Sequence, residues 1–88
     1  MKENLEKLWN YLKDAFEEDE INCILEEFDV NKEELNNKNI SDEDAKGLLF
    51  DLAYAAVNGL FGGDFYTWNE ILFYSLGFDE DTMDFLNY

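Results

Sequence analysis

Carboxylate charge is the feature of this sequence that most limits how the chain can fold. Among its 88 residues, 22 are Asp or Glu, six are Lys and none is Arg or His, so the formal net charge is −16. Self-repulsion of this size opposes a compact state. The same chain is 47 % hydrophobic and 17 % aromatic, which differs from the composition of disordered proteins. The sequence therefore predicts an apolar core inside an anionic surface.

Apolar residues recur at intervals of three and four, the spacing that gives a helix one apolar face. This pattern predicts a first helix over about residues 4–17, a central helix over about 42–58 and a later helix over about 67–76. Gly59 and Gly77 are predicted to take the left-handed position beyond the ends of the last two. No stretch alternates between apolar and polar residues for long enough to favour a sheet.

Helix starts are marked by residues that favour N-caps. Five such residues precede apolar segments and predict helix starts or helical turns: Asp19, Asn31, Ser41, Thr67 and Asp79. The segment after Asn31 is short, and it predicts a helical turn around Leu35. Taken together, these signals predict one all-α domain over residues 1–88, folded as a compact bundle of four or five helices.

The single cysteine and the N-terminus bear on the cellular compartment. Cys23 lies beside Ile21 and Ile24 and is predicted to be a small buried hydrophobe. The N-terminal residues are acidic where a signal peptide would be apolar. The longest apolar run, Leu52–Val57, is far shorter than a membrane span. These features predict a cytoplasmic protein.

The sequence offers little for catalysis, a cofactor or a metal ion. Without histidine it lacks the usual general base and the usual zinc ligand, and no phosphate-binding loop is present. Asp29, Asn31 and Glu33 match the first ligand positions of a calcium-binding EF-hand loop. Glu34 then stands where that loop needs glycine, and Ile40 where it needs the bidentate glutamate. We therefore predict no enzyme activity, no cofactor and no metal site.

Charge also limits the class of partner. Six lysines scattered along the sequence cannot neutralise nucleic-acid phosphates against 22 carboxylates. Anionic membrane surfaces are disfavoured for the same reason. Beyond Lys46 the chain holds seven acidic residues and no basic one. A cationic protein surface, such as that of a nuclease or another nucleic-acid-binding protein, is the predicted partner.

Many acidic residues fall at predicted helix starts, where the helix dipole favours them. Capping does not account for the missing basic residues, so some carboxylates are predicted to contact the partner. Residues four apart on a helix lie about 5–6 Å from each other, a spacing comparable to that of phosphates. We assign six carboxylates as candidate contacts: Asp14 with Glu18, and the group Glu26, Glu27, Glu33 and Glu34.

The C-terminal half holds more aromatic rings than one face of a short helix can cover. These rings are Phe61, Phe65, Tyr66, Trp68, Phe73, Tyr74 and Phe78. One interpretation is a core filled by large side chains. The other is a contact patch that includes Phe73 and Tyr74 and serves a partner or a homodimer.

In size, charge and aromatic content, the chain resembles the small acidic inhibitors that phages deploy against host nucleases. These are anti-restriction and anti-CRISPR proteins that imitate nucleic acid. The resemblance implies a non-catalytic protein that occupies the nucleic-acid site of a nuclease or RNA-guided effector, in the host cytoplasm if the gene belongs to a phage. The alternative is an immunity protein or antitoxin that covers a basic toxin, with Tyr and Trp anchors among its acids.

Overall fold

The computed structural model describes residues 2–86, and over this range every regular element is a helix. In chain order the helices are α1 (Lys2–Ala15), α2 (Glu18–Glu27), α3 (Lys32–Leu35), α4 (Asp42–Gly59), α5 (Phe65–Glu70) and α6 (Glu80–Phe85), and a π-helical segment, Ile71–Ser75, continues α5. The prediction of an all-α fold is confirmed. The described residues form six helices where four or five were expected, because the turn around Leu35 is a helix of its own.

The central helix of the fold is α4, as its wide apolar arc predicts. Four of its small or medium residues, Ala53, Ala55, Ala56 and Val57, are fully buried, and such small side chains allow neighbouring helices to approach closely. The apolar faces of α1 and α2 pack against α4. The Cα radius of gyration is 11.9 Å, close to the value of about 12 Å expected for a folded domain of this length.

Gly59 does not lie beyond the end of α4, so that prediction was wrong. It is the last residue of the helix, and Leu60 is the C-cap. A Cβ atom at this position would lie 2.8 Å from Ile24 Cγ2 and 3.2 Å from Phe28 Cε2. Glycine is therefore required because α2 packs against this point of α4. The left-handed conformation appears later, at Gly62.

The start of α5 is also different from the prediction. Asp64, rather than Thr67, is the N-cap, because its carboxylate accepts hydrogen bonds from the Thr67 backbone N–H at 3.1 Å and the Thr67 hydroxyl at 2.7 Å. Thr67 thus belongs to the first turn. At the other end, Gly77 has a φ of 66° and ends the helix as predicted.

The remaining helix starts divide into confirmed and wrong predictions. Asn31, Ser41 and Asp79 are N-caps as predicted, and each side-chain oxygen accepts a hydrogen bond from a backbone N–H two or three residues later. Asp19 is not a cap. Glu17 takes that position without a side-chain hydrogen bond, so the acidic segment after α1 begins the next helix two residues earlier than expected.

Cys23 is exposed, which contradicts its predicted burial. The buried face of α2 is formed by Ile21, Ile24 and Leu25. Two residues advance an α-helix by about 200°, so Cys23 lies on the side opposite to Ile21. Its apolar sequence neighbours were misleading because they occupy the other face.

Candidate functional site

The fold leaves all of its acidic side chains at the surface. Each of the 22 Asp and Glu residues lies within the described range and is exposed. Among residues 2–86, Thr82 is the one buried polar or charged side chain. The predicted arrangement, an apolar core inside an anionic surface, is confirmed. Six lysines can each neutralise one carboxylate at most, so the surface remains strongly anionic.

Some of these carboxylates have a clear structural role. Hydrogen bonds from the Thr67 side chain and backbone hold the pKa of Asp64 below its ordinary value. Thr82 does the same for the pKa of Asp79. In both cases the charged form satisfies backbone N–H groups at a helix start. Capping explains these two residues, and they are not candidate contacts.

A second group of carboxylates lies around the turn that joins α2 to α3. Glu26 and Glu27 lie in the last turn of α2, which contains no basic residue, so their charges oppose the helix dipole. Asp29 follows in the left-handed conformation with a φ of 57°. Glu33 and Glu34 then occupy the first turn of α3. We call these five residues the acidic corner.

The backbone of the acidic corner is held in place by hydrogen bonds. The Val30 N–H donates to the Leu25 carbonyl at 2.8 Å, and both side chains are buried. Lys32 Nζ donates to Asn22 Oδ1 at 2.8 Å and lies 3.6 Å from Glu18 Oε1. These contacts hold α3 beside α2. The backbone that carries these carboxylates therefore needs little further ordering to meet a partner.

The predicted pair of Asp14 and Glu18 does not form a row on one helix. Asp14 lies near the end of α1, and Glu18 begins α2 after a bend at Phe16. Helical spacing does not apply to residues on different helices, so that part of the prediction was wrong. Both side chains are exposed. Glu18 also pairs with Lys32, although such an exposed pair contributes little.

The outer face of α2 adds a carboxylate that the sequence analysis did not select. Glu20, Cys23 and Glu27 are exposed and follow one another at intervals of three and four, so they share one side of the helix. Glu20 and Glu27 are about 10.5 Å apart along the axis. The apolar face of α2 was recognised from its spacing, and the same spacing read for acids would have identified Glu20.

The aromatic residues of the C-terminal half divide between core and surface. Trp68 and Phe78 are buried, which fits the core interpretation. Four other rings are exposed and form what we call the aromatic patch: Phe65 at 43 %, Tyr66 at 77 %, Phe73 at 55 % and Tyr74 at 78 %. The Phe73 and Tyr74 rings meet edge to face, with 5.0 Å between centroids. The core interpretation therefore holds for Trp68 and Phe78, and the contact patch stays a prediction for the four exposed rings.

The aromatic patch lies on α5 and the π-helical segment, which bury Trp68 and Leu72 on their inner side. A hydrogen bond from the Tyr66 hydroxyl to the Glu70 carboxylate raises the pKa of Tyr66 above its ordinary value. No lysine follows Lys46 in the sequence. Exposed rings beside a carboxylate suit a cationic side chain, which both groups attract.

The lysines are not scattered in space, contrary to the impression from the sequence. Four of the six line two adjoining clefts beside Trp9: Lys2, Lys13, Lys32 and Lys38. Their sequence positions span α1, α3 and the loop after α3. No sequence pattern could have grouped them, because they come together only through the packing of α1 against α3.

Comparisons with protein-family models, curated protein sequences and solved structures found no match. Within residues 2–86, no helix is both long and apolar enough to cross a membrane. In the same range, no three or more His, Cys, Asp or Glu side chains are grouped so that they could hold a metal ion.

Proposed function

We propose that this chain is a non-catalytic acidic inhibitor of a basic nucleic-acid-binding protein, such as a nuclease or an RNA-guided effector. It acts by occupying the nucleic-acid site of its target, in the manner of the phage inhibitors that it resembles. The protein acts in the cytoplasm, which is the host cytoplasm if the gene belongs to a phage. It requires neither a cofactor nor a metal ion.

The observation that carries the proposal is the position of Glu26 and Glu27. Two carboxylates in the last turn of α2 work against the helix dipole, and no lysine lies in that turn to compensate. The fold gains nothing from them. Binding to a cationic partner would account for these carboxylates, because the partner's charge would offset both the unfavourable helix dipole and the repulsion within the acidic corner.

The spacing of the acids supports imitation of nucleic acid. Glu20 and Glu27 lie two helical turns apart on the exposed side of α2. The seven-residue step between them advances about 10.5 Å, and three nucleotides of one DNA strand advance about 10.2 Å along the duplex axis. The two carboxylates therefore match the axial spacing between one phosphate and the third phosphate after it.

The aromatic patch supplies the apolar part of the contact. Phe73 and Tyr74 are exposed and already packed edge to face on each other, so their burial against a partner costs little ordering. Peripheral charges mainly raise the association rate, whereas buried aromatic anchors slow dissociation. Tyr74→Ala should increase the dissociation rate and change the stability by less than about 0.5 kcal/mol, because the ring is on the surface.

The aromatic patch also fits the alternative proposal, an immunity protein or antitoxin. An immunity protein or antitoxin that covers a basic toxin would use exposed tyrosines beside carboxylates, as Tyr66 and Glu70 are arranged here. The target distinguishes the two proposals. A toxin would be inhibited whether or not its active site binds nucleic acid, and its gene would lie beside the gene of this chain.

The test begins with capture of the target from a lysate of the native host, at low and at high salt. Association with the purified target is then compared for two variants of equal charge. One reverses Glu26, Glu27, Glu33 and Glu34 to Lys. The control reverses four exposed acids elsewhere, Glu43, Asp44, Asp51 and Asp84, of which the first two lie in the first turn of α4 as Glu33 and Glu34 do in α3.

At low salt, the reversal in the acidic corner should slow association by at least about tenfold, and the control should slow it much less. Thermal melts of both variants exclude unfolding as the cause. If the corner variant associates as fast as the unchanged protein, the acidic corner is not the contact surface. An equal loss in both variants would show that net charge alone matters.

A further inference from the structure

The two clefts beside Trp9 reverse the charge of the rest of the surface. The larger, of about 420 Å³, lies between α1 and the loop after α3 and is lined by Lys2, Lys13 and Lys38. The smaller, of about 360 Å³, adjoins it and is lined by Lys13 and Lys32. We call the two together the lysine groove.

Lysines outnumber acidic residues by two to one in the lining of the lysine groove. Of its lining residues, four are lysines and two, Glu6 and Glu18, are acidic. The rest of the chain holds the other two lysines and the other 20 acids. A chain with so few cations has thus gathered most of them along one concave surface, where the field of a charge cluster is concentrated.

The groove is built on a fixed frame. Trp9 lies between the two clefts with 4 % of its surface exposed, and its indole N–H donates to Asn36 Oδ1 at 3.2 Å. Lys13 Nζ lies 5.3 Å from the centre of the Trp9 ring. The buried side chains of Leu35 and Ile40 form an apolar part of the larger cleft.

We infer that the lysine groove binds a small phosphate monoester. Lysine ammonium groups attract a compact dianion as point charges, and Asn10 and Asn37, whose side-chain amides can donate hydrogen bonds, line the same cleft. The volume lies in the range of small-molecule sites, about 300–1,000 Å³. The apolar part of the cleft suits the organic part of such a molecule.

The surrounding charge favours a small ligand over a nucleic acid or an acidic protein. At physiological salt, charges interact over about 8 Å, so a ligand confined to the groove meets mainly its lysines. A longer polyanion would extend over the anionic surface and be repelled. This inference is independent of the proposed function, since it concerns the cationic part of the surface and a different class of ligand.

The test uses the two tryptophan indole signals in an NMR spectrum of the full chain. Trp9 reports on the groove, and Trp68, which is buried elsewhere, is an internal reference. Adenosine monophosphate is titrated at low salt, with adenosine and inorganic phosphate in parallel. Adenosine monophosphate should shift the Trp9 signal saturably and leave Trp68 unchanged, and adenosine should shift neither.

Titration with inorganic phosphate shows whether the groove prefers a phosphate ester or binds free phosphate equally well. Weaker binding of phosphate than of the monophosphate supports an ester as ligand, and equal or tighter binding would overturn that part of the inference. The groove itself is refuted if the Trp9 signal does not move up to about 10 mM monophosphate, or if adenosine shifts it equally.

Two lysine variants provide the matched comparison. Lys38→Gln removes a groove lysine, and Lys46→Gln removes one that lies over the Phe85 ring outside the groove. Each changes the net charge by the same single unit. Lys38→Gln should weaken monophosphate binding severalfold more than Lys46→Gln does. An equal effect of the two variants would contradict a site in the groove.

Discussion

Two glycines in α4 test how α2, which carries two of the five residues of the acidic corner, packs against α4. Gly59 and Gly47 lie in the same helix, and neither has a positive φ. A Cβ at Gly59 would lie 2.8 Å from Ile24 Cγ2, whereas a Cβ at Gly47 would have nothing within 4 Å. Alanine at the two positions should therefore change the stability in opposite directions.

The magnitudes follow from the contacts. Gly47→Ala improves helix propensity without a clash and should stabilise the fold by about 0.5–1 kcal/mol. Gly59→Ala forces a methyl group against Ile24, whose β-branched side chain has little freedom to move. Overpacking of this kind costs about 1–3 kcal/mol, and the propensity gain at the last helical residue is small. The two variants should thus differ by about 1.5–4 kcal/mol.

Urea unfolding followed by circular dichroism at the helix band measures both free energies of unfolding. In a domain of this size, each kcal/mol also moves the Tm by about 4–8 °C. If Gly59→Ala proves as stable as Gly47→Ala, α2 does not pack against the end of α4. The position of the acidic corner would then be wrong as well.

Three further predictions concern charge and exposure. The Tm should rise between low and physiological salt, since screening weakens the repulsion among the carboxylates; a constant Tm would show that the charge is already compensated. The Cys23 thiol should react with a thiol reagent in the folded protein. Reaction only after unfolding would show that Cys23 is buried, as the sequence predicted. Asp79→Ala should lower the Tm at neutral pH. The pKa of Asp79 in the folded protein is lowered from 3.8. Its stabilisation is therefore present above that value and is lost as the pH falls through the folded pKa. The Tm difference between the two proteins should shrink in acid, and an unchanged difference would contradict the capping role of Asp79.

The helices and most caps could be predicted because their signals are local. A helix face repeats at three and four residues, and Asn31, Ser41 and Asp79 bond to backbone groups within three residues. The errors arose where a signal had a competitor or a tertiary cause. Thr67 lost the cap position to Asp64, and Gly59 is explained by Ile24, a residue distant in sequence.

The candidate site was predictable in composition but not in arrangement. The sequence predicted Glu26, Glu27, Glu33 and Glu34 as contacts, and that stays a prediction; the fold adds that the first two oppose a helix dipole. The excess of aromatic rings was also evident from the sequence. Which rings are exposed, such as Tyr74, and which are buried, such as Trp68, depends on the side of α5 and its π-helical extension that faces the core. The lysine groove depends on packing alone.

The most direct test of the central claim is competition between this chain and nucleic acid for the captured target. A fluorescently labelled DNA or RNA ligand of that target is held at fixed concentration, its anisotropy is followed, and the chain is added. We expect the chain to displace the nucleic acid completely, with an affinity that falls steeply as salt is raised. A ternary complex, in which nucleic acid and chain bind together without weakening each other, would contradict occupation of the nucleic-acid site.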